Sequence, residues 1–347
     1  MDHAPTDVFN PLYLRRAEDL QGFLLALLKG GLDKRARDMV GEIAAIYVTQ
    51  RVGKHVLSPE GLTLDKARQK TVEALRQLGC TLIEPVFTSA EILEIETFIE
   101  NKKVTFGASG FDEQGAKGEA LASQLPANVR FGDYKTEDIC KCTPIYRILH
   151  DRALIEIATS YLGAPPTISI ATMWWSRPSS LPIGGMQMFH HDRGDFRSCN
   201  LFVYLTDVTE ATGPHSFVTK THETSILNPL VTERFGGDPI MLQKFWEWME
   251  QHRKSDEDVY NFFREDEIRI FTGPKGMSFF EDTRGLHKAT APVLGPRLAF
   301  EIVYSTLPKL NEKVNPVPRN DLLIKNIDAN SENIAPLVRY ATRLMYK

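Results

Sequence analysis

The chain has 347 residues, of which 42% are hydrophobic and 25% are charged, so its composition allows a buried core of ordinary globular size. Its formal net charge of −4 provides no bulk electrostatic attraction to nucleic acid or to an anionic membrane surface. The four cysteines match neither a zinc-knuckle spacing nor a small disulfide framework, which indicates reduced thiols in a cytoplasmic protein. The sequence shows neither a signal-peptide pattern nor an apolar run long enough to cross a bilayer, so we expect no membrane insertion.

Residues 1–75 are predicted to form an N-terminal helical extension that carries no recognisable chemistry. Apolar residues recur there at helical spacing, and Gly30-Gly31 separates two helical stretches. The first stretch contains Leu20, Phe23, Leu24, Leu27 and Leu28, and the second contains Met39, Ile43 and Ile46. We expect this extension to cover one edge of the core or to provide a dimer surface, in a protein that is a monomer or a homodimer.

The next part of the chain is predicted to alternate helices with one short strand. The expected order is a helix over 64–78, a strand over 80–87, a helix over 90–100, a long loop over 103–137 and a helix over 143–162. Gly79 is a plausible C-cap of the first helix, and Ser89 is expected to cap the second.

Eight β-rich segments are predicted in the second half of the sequence. They are 167–175, 186–192, 198–205, 216–218, 268–271, 277–281, the segment of His287, and 298–304. Eight such strands form a double-stranded β-helix, a jelly-roll or cupin-type barrel, so the fold class is mainly β with flanking helices. We expect one domain over 1–347, with its core at 76–305, a helical insertion at about 223–267 and a helical tail at 306–347.

The candidate metal ligands are two histidines and one aspartate. His190 and Asp192 lie two residues apart, and on an extended strand such residues point to the same face and can reach one ion together. His191 would point to the opposite face. A third ligand is best supplied by His287, which Arg297 follows on the closing strand; His215 and His222 compete with it but lack such an arginine. Two histidines and one carboxylate with open positions are the ligand set of non-haem Fe(II) oxygenases.

Two blocks of the sequence resemble the phytanoyl-CoA dioxygenase family of Fe(II)/2-oxoglutarate oxygenases. The blocks are 187–222 and 287–304, within a resemblance in order over roughly 75–305. The first block contains Leu205-Thr-Asp-Val208 and Gly213-Pro214, as that family does. Where many members continue with Pro-Gly-Ser-His, this chain reads Thr219-Lys-Thr-His222. The resemblance implies that O₂ and 2-oxoglutarate are converted to CO₂ and succinate while a substrate is oxidised.

Three further residues are candidates for contacts with the 2-oxoglutarate that this resemblance implies. Arg297 is expected to bind the far carboxylate of 2-oxoglutarate, because a guanidinium forms two parallel charge-assisted hydrogen bonds with a carboxylate. Thr290 is expected to add a hydroxyl to the same carboxylate, and Gln187 to hydrogen-bond the keto-acid end. Halogenases of related type replace the carboxylate ligand with a small residue, so Asp192 favours hydroxylation or a similar oxidation.

The substrate is predicted to be a small molecule, with no nucleic-acid partner. Candidate pocket residues near the ligands in sequence are Trp174, Trp175, Phe189 and Arg193. Trp174 and Trp175 point opposite ways on a strand, so at least one of them is expected to pack in the core. No lysine or arginine cluster indicates a coenzyme A groove, so the substrate that names the family is not assumed.

Two other functions remain open from the sequence. One is a cupin-type binding or scaffold protein that keeps the barrel without turnover, although losing any one ligand would abolish chemistry without harming such a fold. The other is a jelly-roll metalloenzyme that uses a different ion and no 2-oxoglutarate, in which Arg297 would have no role. Consumption of O₂ that depends on the cosubstrate would separate the three.

Overall fold

The computed structural model describes residues 7–10, 13, 31–57, 61–107, 117–193, 196–309, 315–318 and 334–347. The predicted apolar stretch from Leu20 to Leu28 lies outside these residues, as do 310–314 and 319–333 of the predicted tail. No helix among the described residues is long and apolar enough to cross a membrane.

The N-terminal extension contributes one long helix, α1 (Lys34–Val48), which continues through a π-helical turn (Thr49–Gly53) and a last turn (Lys54–Val56). It begins at Asp33, whose carboxylate accepts a hydrogen bond from the Ala36 amide at 2.8 Å. The apolar residues that predicted this helix are not its buried face, because Met39, Ile43 and Ile46 are 58%, 54% and 60% exposed. Its buried side is instead formed mainly by small residues, Gly41, Ala44, Ala45 and Val48.

Helix α2 (Lys66–Leu78) ends at Gly79 as predicted, with Gly79 in the left-handed region at φ 84°. A β-carbon at Gly79 would also lie 2.6 Å from His222 Nδ1, so both the backbone conformation and the close contact exclude a side chain at this position. Strand β1 (Cys80–Ile83) and helix α3 (Ser89–Ile99) follow. The cap of α3 is Thr88 and not Ser89, since Thr88 and Glu91 form a reciprocal capping box.

The prediction of a long loop over 103–137 was wrong for several segments of that range, of which 108–116 lie outside the described residues. It holds strands β2 (Lys103–Phe106), β3 (Gly118–Leu121) and β4 (Phe131–Tyr134) and the short helix α4 (Thr136–Ile139). Each strand has four residues, too few to produce a visible alternation, and their pairing depends on a distant partner, since β4 pairs with residues 174–176. The helix predicted over 143–162 is two helices, α5 (Thr143–Leu149) and α6 (Arg152–Leu162), because Asp151 caps a second start.

The larger of two sheets is antiparallel and eight-stranded. Its central strands are β5 (Thr167–Ser176), β6 (Ser198–Tyr204), β9 (Ser278–Glu281) and β11 (Arg297–Ser305). The strand order is β1-β9-β6-β11-β5-β4-β2-β3. One face packs on the helices around the main apolar core, to which buried residues of α1, α3, α5, α6 and the C-terminal helix α10 (Pro336–Thr342) contribute.

The smaller sheet contains β7 (His215–Val218), β8 (Ile268–Phe271) and β10 (His287–Ala289), in the order β10-β7-β8. His190 forms a β-bridge with His287 and so adds a fourth strand position to its edge. The predicted ligand strand over 186–192 is therefore only partly right, because a 3₁₀ turn (Gly185–Gln187) precedes two isolated bridges.

The two sheets enclose a second, largely aromatic core. The rings of Phe271 and Phe279, one from each sheet, stack at 4.1 Å between centroids. The eight barrel strands divide equally between the sheets. The large sheet contains β5, β6, β9 and β11, and the small sheet contains the His190 segment, β7, β8 and β10. This is the double-stranded β-helix, so the predicted fold class is confirmed.

The insertion between β7 and β8 is helical, as predicted. It contains α7 (Thr224–Arg234), α8 (Pro239–Met249) and α9 (Asp256–Phe262). These helices enclose a separate apolar cluster that includes Phe245 and Trp248 and reaches Phe189, directly beside His190. The insertion is thereby attached to the segment that carries the candidate metal ligands.

Candidate metal centre and active site

The three predicted metal ligands lie together at the open edge of the small sheet. One ligand atom from each of His190, Asp192 and His287 lies within 4.8 Å of the other two, close enough to share one ion. The backbones of His190 and His287 exchange two hydrogen bonds, of 2.9 and 2.8 Å, and their rings are 4.3 Å apart. A β-bridge thus places two ligands from distant parts of the sequence side by side on one face.

Both histidine rings are oriented by backbone carbonyls. Nδ1 of His190 lies 2.9 Å from the Met188 carbonyl oxygen, and Nδ1 of His287 lies 3.0 Å from that of Gly285. When Nδ1 donates a hydrogen bond, Nε2 carries the lone pair that can bind a metal. Burial, reinforced by the charge of His287, lowers the pKa of His190 well below its usual value, so its ring is neutral and available as a ligand.

Asp192 is held by its backbone while its carboxylate stays accessible. Its amide donates to the Thr283 carbonyl at 2.8 Å, and its side chain is 40% exposed. Burial acts to raise the pKa of Asp192, but the positive charges of His287 and Lys309 outweigh that effect and the pKa is lowered. The carboxylate is ionised and lies beside the two imidazoles, which suits a divalent cation.

The competing histidines are placed elsewhere. His191 points to the opposite face, where its Nε2 accepts from Nε of Arg193 at 3.1 Å. His215 stacks on His287 at 5.5 Å but lies deeper between the sheets, and His222 packs under Gly79. Among the described residues, the close group of metal-binding side chains is the predicted His190, Asp192 and His287.

Arg297 is a buried guanidinium without a counter-ion in the described part of the chain. It is 2% exposed, donates to the Gly213 carbonyl through Nη1 and to Ser176 Oγ through Nη2, and its Nε has no hydrogen-bond partner among the described residues. No described carboxylate lies within ion-pair distance of it, and burial lowers its pKa, with only Tyr204 acting in the other direction. An uncompensated buried charge is costly, so the site is built for an anion that the protein itself does not provide.

Thr290 and Gln187 lie near this region but have protein partners. Thr290 Oγ1 is 3.4 Å from Ser216 Oγ, and its amide donates to the carbonyl of Pro214, next to the glycine that holds Arg297. Gln187 is buried, and its Oε1 accepts from Nη1 of Arg130 at 2.9 Å. Their roles toward a cosubstrate therefore stay predictions.

The four candidate substrate residues separate into different environments. Trp174 packs against the core between the two sheets, and its buried Nε1 has no partner among the described residues. Trp175 points the other way and donates to the Tyr134 hydroxyl at 3.1 Å. Phe189 belongs to the insertion's core, and Arg193 bonds to His191 and Glu250. Of the four, Trp174 alone lies on the inner face of the barrel.

Two carboxyl groups on that inner face were missed by the sequence reasoning, Glu281, which is fully buried, and Glu301, which is partly buried. Burial raises the pKa of Glu281 to about 8 and that of Glu301 to about 7. Glu281 Oε2 lies 2.8 Å from Nε2 of His215, misaligned for a hydrogen bond, and Oε1 is 3.8 Å from His287 Nδ1. Glu301 accepts from Asn200 at 2.7 Å. Each ends or interrupts an apolar strand, and that interruption was the available signal.

A cavity of about 650 Å³ lies away from this centre, between α1 and the insertion. Its charged lining residues pair with one another, as Arg284 does with Asp38 at 3.1 Å and Arg197 with Glu223 at 3.1 Å. These ion pairs attach the extension and the insertion to the loop before His287, which is a structural role.

No protein-family model matches this sequence, and the search of curated proteins found no match. Similar solved structures include the non-heme alpha ketoglutarate dependent epimerase SnoN from nogalamycin biosynthesis, with 15% identity over 69% of this chain and 83% of that chain and a TM-score of 0.42. HygX from Streptomyces hygroscopicus, with nickel, 2-oxoglutarate and hygromycin B bound, has 13% identity over 73% and 91%, and a TM-score of 0.44. EvdO2 from Micromonospora carbonacea var. aurantiaca, complexed with 2-oxoglutarate, has 14% identity over 72% and 95%, and a TM-score of 0.45. Similarity at this level does not assign the chain to a family.

Proposed function

We propose that this chain is an Fe(II)/2-oxoglutarate-dependent dioxygenase that hydroxylates a small organic molecule and converts 2-oxoglutarate and O₂ to succinate and CO₂. One observation carries the proposal. The close group of His190, Asp192 and His287 occurs in the same barrel as a buried arginine, Arg297, that has no carboxylate partner among the described residues. A metal site alone would not require that arginine.

The donor set fits Fe(II). Two imidazole nitrogens and one carboxylate oxygen on one side of an ion leave further positions open, as in non-haem Fe(II) oxygenases. The backbone carbonyls of Met188 and Gly285 would hold the two rings with Nε2 toward the ion. When bound, the iron and 2-oxoglutarate would supply the oxidising power for the reaction with O₂, which side chains cannot supply by themselves.

The residues of the chain would bind and orient the cosubstrate. Arg297 would bind its far carboxylate with the charge-assisted geometry of a guanidinium and would gain the counter-ion that it lacks. The carbonyl of Gly213 and the hydroxyl of Ser176 hold the guanidinium in place. Asp192 provides a single negative charge, so the loaded ion remains positive enough to hold a dianion.

The alternatives make different demands on the same residues. A cupin-type binding or scaffold protein has no need for a complete ligand triad, and a jelly-roll metalloenzyme without 2-oxoglutarate has no need for an unpaired Arg297. Asp192 disfavours a halogenase. We retain the resemblance to the phytanoyl-CoA dioxygenase family, the single domain over 1–347 and the cytoplasmic location as predictions.

An anaerobic titration of the Fe(II)-loaded protein with 2-oxoglutarate tests the proposal. We expect a weak visible charge-transfer band in the wild type, no band in Asp192→Ala and a band that needs much more 2-oxoglutarate in Arg297→Ala. Arg269→Gln removes an exposed positive charge from β8 and should behave as the wild type. If bound iron gives no band in the wild type, the oxygenase assignment fails and a cupin-type binding protein becomes the better account.

A further inference from the structure

A second arginine, Arg253, lies beside the metal centre on the side away from His287. Phe189 and Lys254 form an antiparallel β-bridge, with the Lys254 amide donating to the Phe189 carbonyl at 2.9 Å. In an antiparallel pair the next residues along the two chains oppose each other and share a face. Arg253 is therefore opposite His190 and on the face of the sheet that carries the metal ligands.

Side-chain directions around this bridge agree with that register. Lys254 points away from the metal face, with its Nζ 5.1 Å from the centre of the Trp248 ring. Phe189 also points away, with Lys288 Nζ 4.8 Å from its ring centre. Arg253 therefore projects toward the metal side, and its charge acts on both His190 and Asp192.

Arg253 has hydrogen-bonding capacity that the protein does not use. Its Nη1 is buried and has no hydrogen-bond partner among the described residues, and no described carboxylate forms an ion pair with it. Asp192, the nearest acidic influence, does not approach to ion-pair distance. Because a buried guanidinium nitrogen without an acceptor costs free energy, an acceptor from outside the protein is expected there.

The surroundings of Arg253 favour an anion. The neighbouring cations Arg193 and Lys254 belong to the same group, and Glu250 is the carboxylate that faces them, at 3.7 Å from Arg193. Glu250 is already engaged by the amide of Lys34 at 2.8 Å. Lys254 and Arg193 direct their charges away from the metal ligands, so Arg253 is the cation of this group that faces the metal side, where no described carboxylate pairs with it.

We propose that Arg253 of the helical insertion is a specificity-determining residue, which binds an oxyanion of the substrate beside the metal centre. This inference rests on the proposed oxygenase function and narrows its substrate class to small molecules with a carboxylate, sulfonate or phosphate group. It also assigns a task to the insertion, which supplies the substrate anchor while the barrel supplies the metal and cosubstrate ligands. Arg297, on β11, remains the partner of 2-oxoglutarate.

Binding of simple oxyanions to the protein loaded with Mn(II) and saturated with 2-oxoglutarate tests this without turnover. Mn(II) takes the same nitrogen and oxygen ligands and broadens the resonances of nearby nuclei. The probes are methylphosphonate followed by ³¹P relaxation, and methanesulfonate and acetate followed by ¹H relaxation, which together distinguish the three anion types. We expect at least one probe to bind close enough to the metal for strong relaxation enhancement.

The variants identify the residue. Arg253→Gln should raise the Kd of the probe by roughly tenfold or more, because one charge-assisted hydrogen bond is lost, whereas Arg253→Lys should keep part of the affinity. Arg264→Gln is the matched control, because it removes an exposed arginine of the same insertion that pairs with Asp266 at 3.0 Å. Equal probe binding in the wild type and Arg253→Gln would overturn the inference, as would an absence of relaxation enhancement for all three probes.

The 2-oxoglutarate affinity of each sample, measured first by calorimetry, separates this inference from the function on which it rests. If the wild type fails to bind 2-oxoglutarate, the oxygenase proposal fails. If it binds 2-oxoglutarate and Arg253→Gln loses that binding instead of the probe, Arg253 serves the cosubstrate and the substrate assignment is wrong.

Discussion

Replacement of Arg297 by glutamine should remove the response of the protein to 2-oxoglutarate while changing the unliganded protein much less. Arg297 is buried, and its hydrogen bonds go to the Gly213 carbonyl and to Ser176 Oγ. Glutamine removes an uncompensated buried charge, which favours folding, and leaves those acceptors less well bonded, which opposes it. Both effects amount to roughly 1–3 kcal/mol, so they largely offset each other.

The loss of 2-oxoglutarate binding energy in this variant is not offset by any such gain. At a 2-oxoglutarate concentration 100 times its Kd, binding stabilises the wild type by about 2.7 kcal/mol. For a chain of 347 residues, that raises the Tm by about 4 °C. Loss of the guanidinium–carboxylate pair costs roughly 3 kcal/mol and raises Kd about 150-fold. At the same concentration the variant then gains about 0.3 kcal/mol, a shift below about 1 °C.

Thermal unfolding of the Ni(II)-loaded protein, with and without 2-oxoglutarate, measures both quantities without turnover. Arg297→Lys should give an intermediate shift, because it keeps the charge and loses the paired geometry. Arg269→Gln on the exposed face of β8 should keep the full shift. A full shift in Arg297→Gln would show that another group binds the far carboxylate, and the reasoning from the unpaired guanidinium would be wrong.

Three further predictions follow from the same structure. Asp192→Ala should weaken Fe(II) binding by more than roughly 100-fold, measured by competition with a coloured chelator, since a charged ligand contributes more than the groups that orient it. Gly213→Ala should lower the free energy of unfolding, measured in urea, by about 1–3 kcal/mol and should also weaken 2-oxoglutarate binding. The reason is that φ is +80° and the added β-carbon would lie 2.5 Å from the Thr290 carbonyl oxygen. Gly236→Ala, at φ +60° with open space around it, should destabilise less and leave 2-oxoglutarate binding unchanged. Burial, and secondarily the charge of Arg193, lowers the pKa of Lys254 to about 7 from 10.5. Between pH 7 and pH 10.5, Lys254 is therefore protonated in the unfolded chain and largely deprotonated in the folded protein. Stability relative to Lys254→Met should therefore rise from pH 7 to pH 9.5, by up to roughly 3 kcal/mol in urea unfolding, and a flat difference would contradict the assigned burial cost.

The grouping of His190 with Asp192 could be predicted from the sequence because it is local, whereas the approach of His287 depends on a bridge between distant segments. His190 and Asp192 share a face through their spacing alone, even though the segment proved to be two bridges and not a regular strand. The central strands of the barrel were recognisable as apolar runs bounded by turn residues, and most of their limits agree to within a residue or two. Gly79 was recognisable as the residue that ends a helix, and it has positive φ.

The features that could not be predicted depend on non-local pairing. Strands β2 to β4 have four residues each and no readable period, and they exist because β4 pairs with the end of β5. The stripe of Met39, Ile43 and Ile46 indicated a helix correctly but its buried face wrongly, since small residues allow the closer approach on the other side. Glu281 and Arg253 belong to no motif, and only the folded barrel shows that they lie beside the candidate metal ligands.

The two unpaired arginines together make a stronger case than either does alone. A protein with a net charge of −4 has many carboxylates, yet neither Arg297 nor Arg253 pairs with one among the described residues, and they lie on different elements around one metal triad. Leaving a charge uncompensated is costly at Arg297, which is buried, and less costly at Arg253, which is partly exposed; two anions bound during function would compensate both charges. The cosubstrate accounts for one of them. If Arg297→Gln abolishes the 2-oxoglutarate shift while Arg253→Gln keeps it and loses the oxyanion probe, the two anions are distinct and the substrate carries the second. If both variants lose the 2-oxoglutarate shift, one dianion engages both arginines, and the substrate need not be charged.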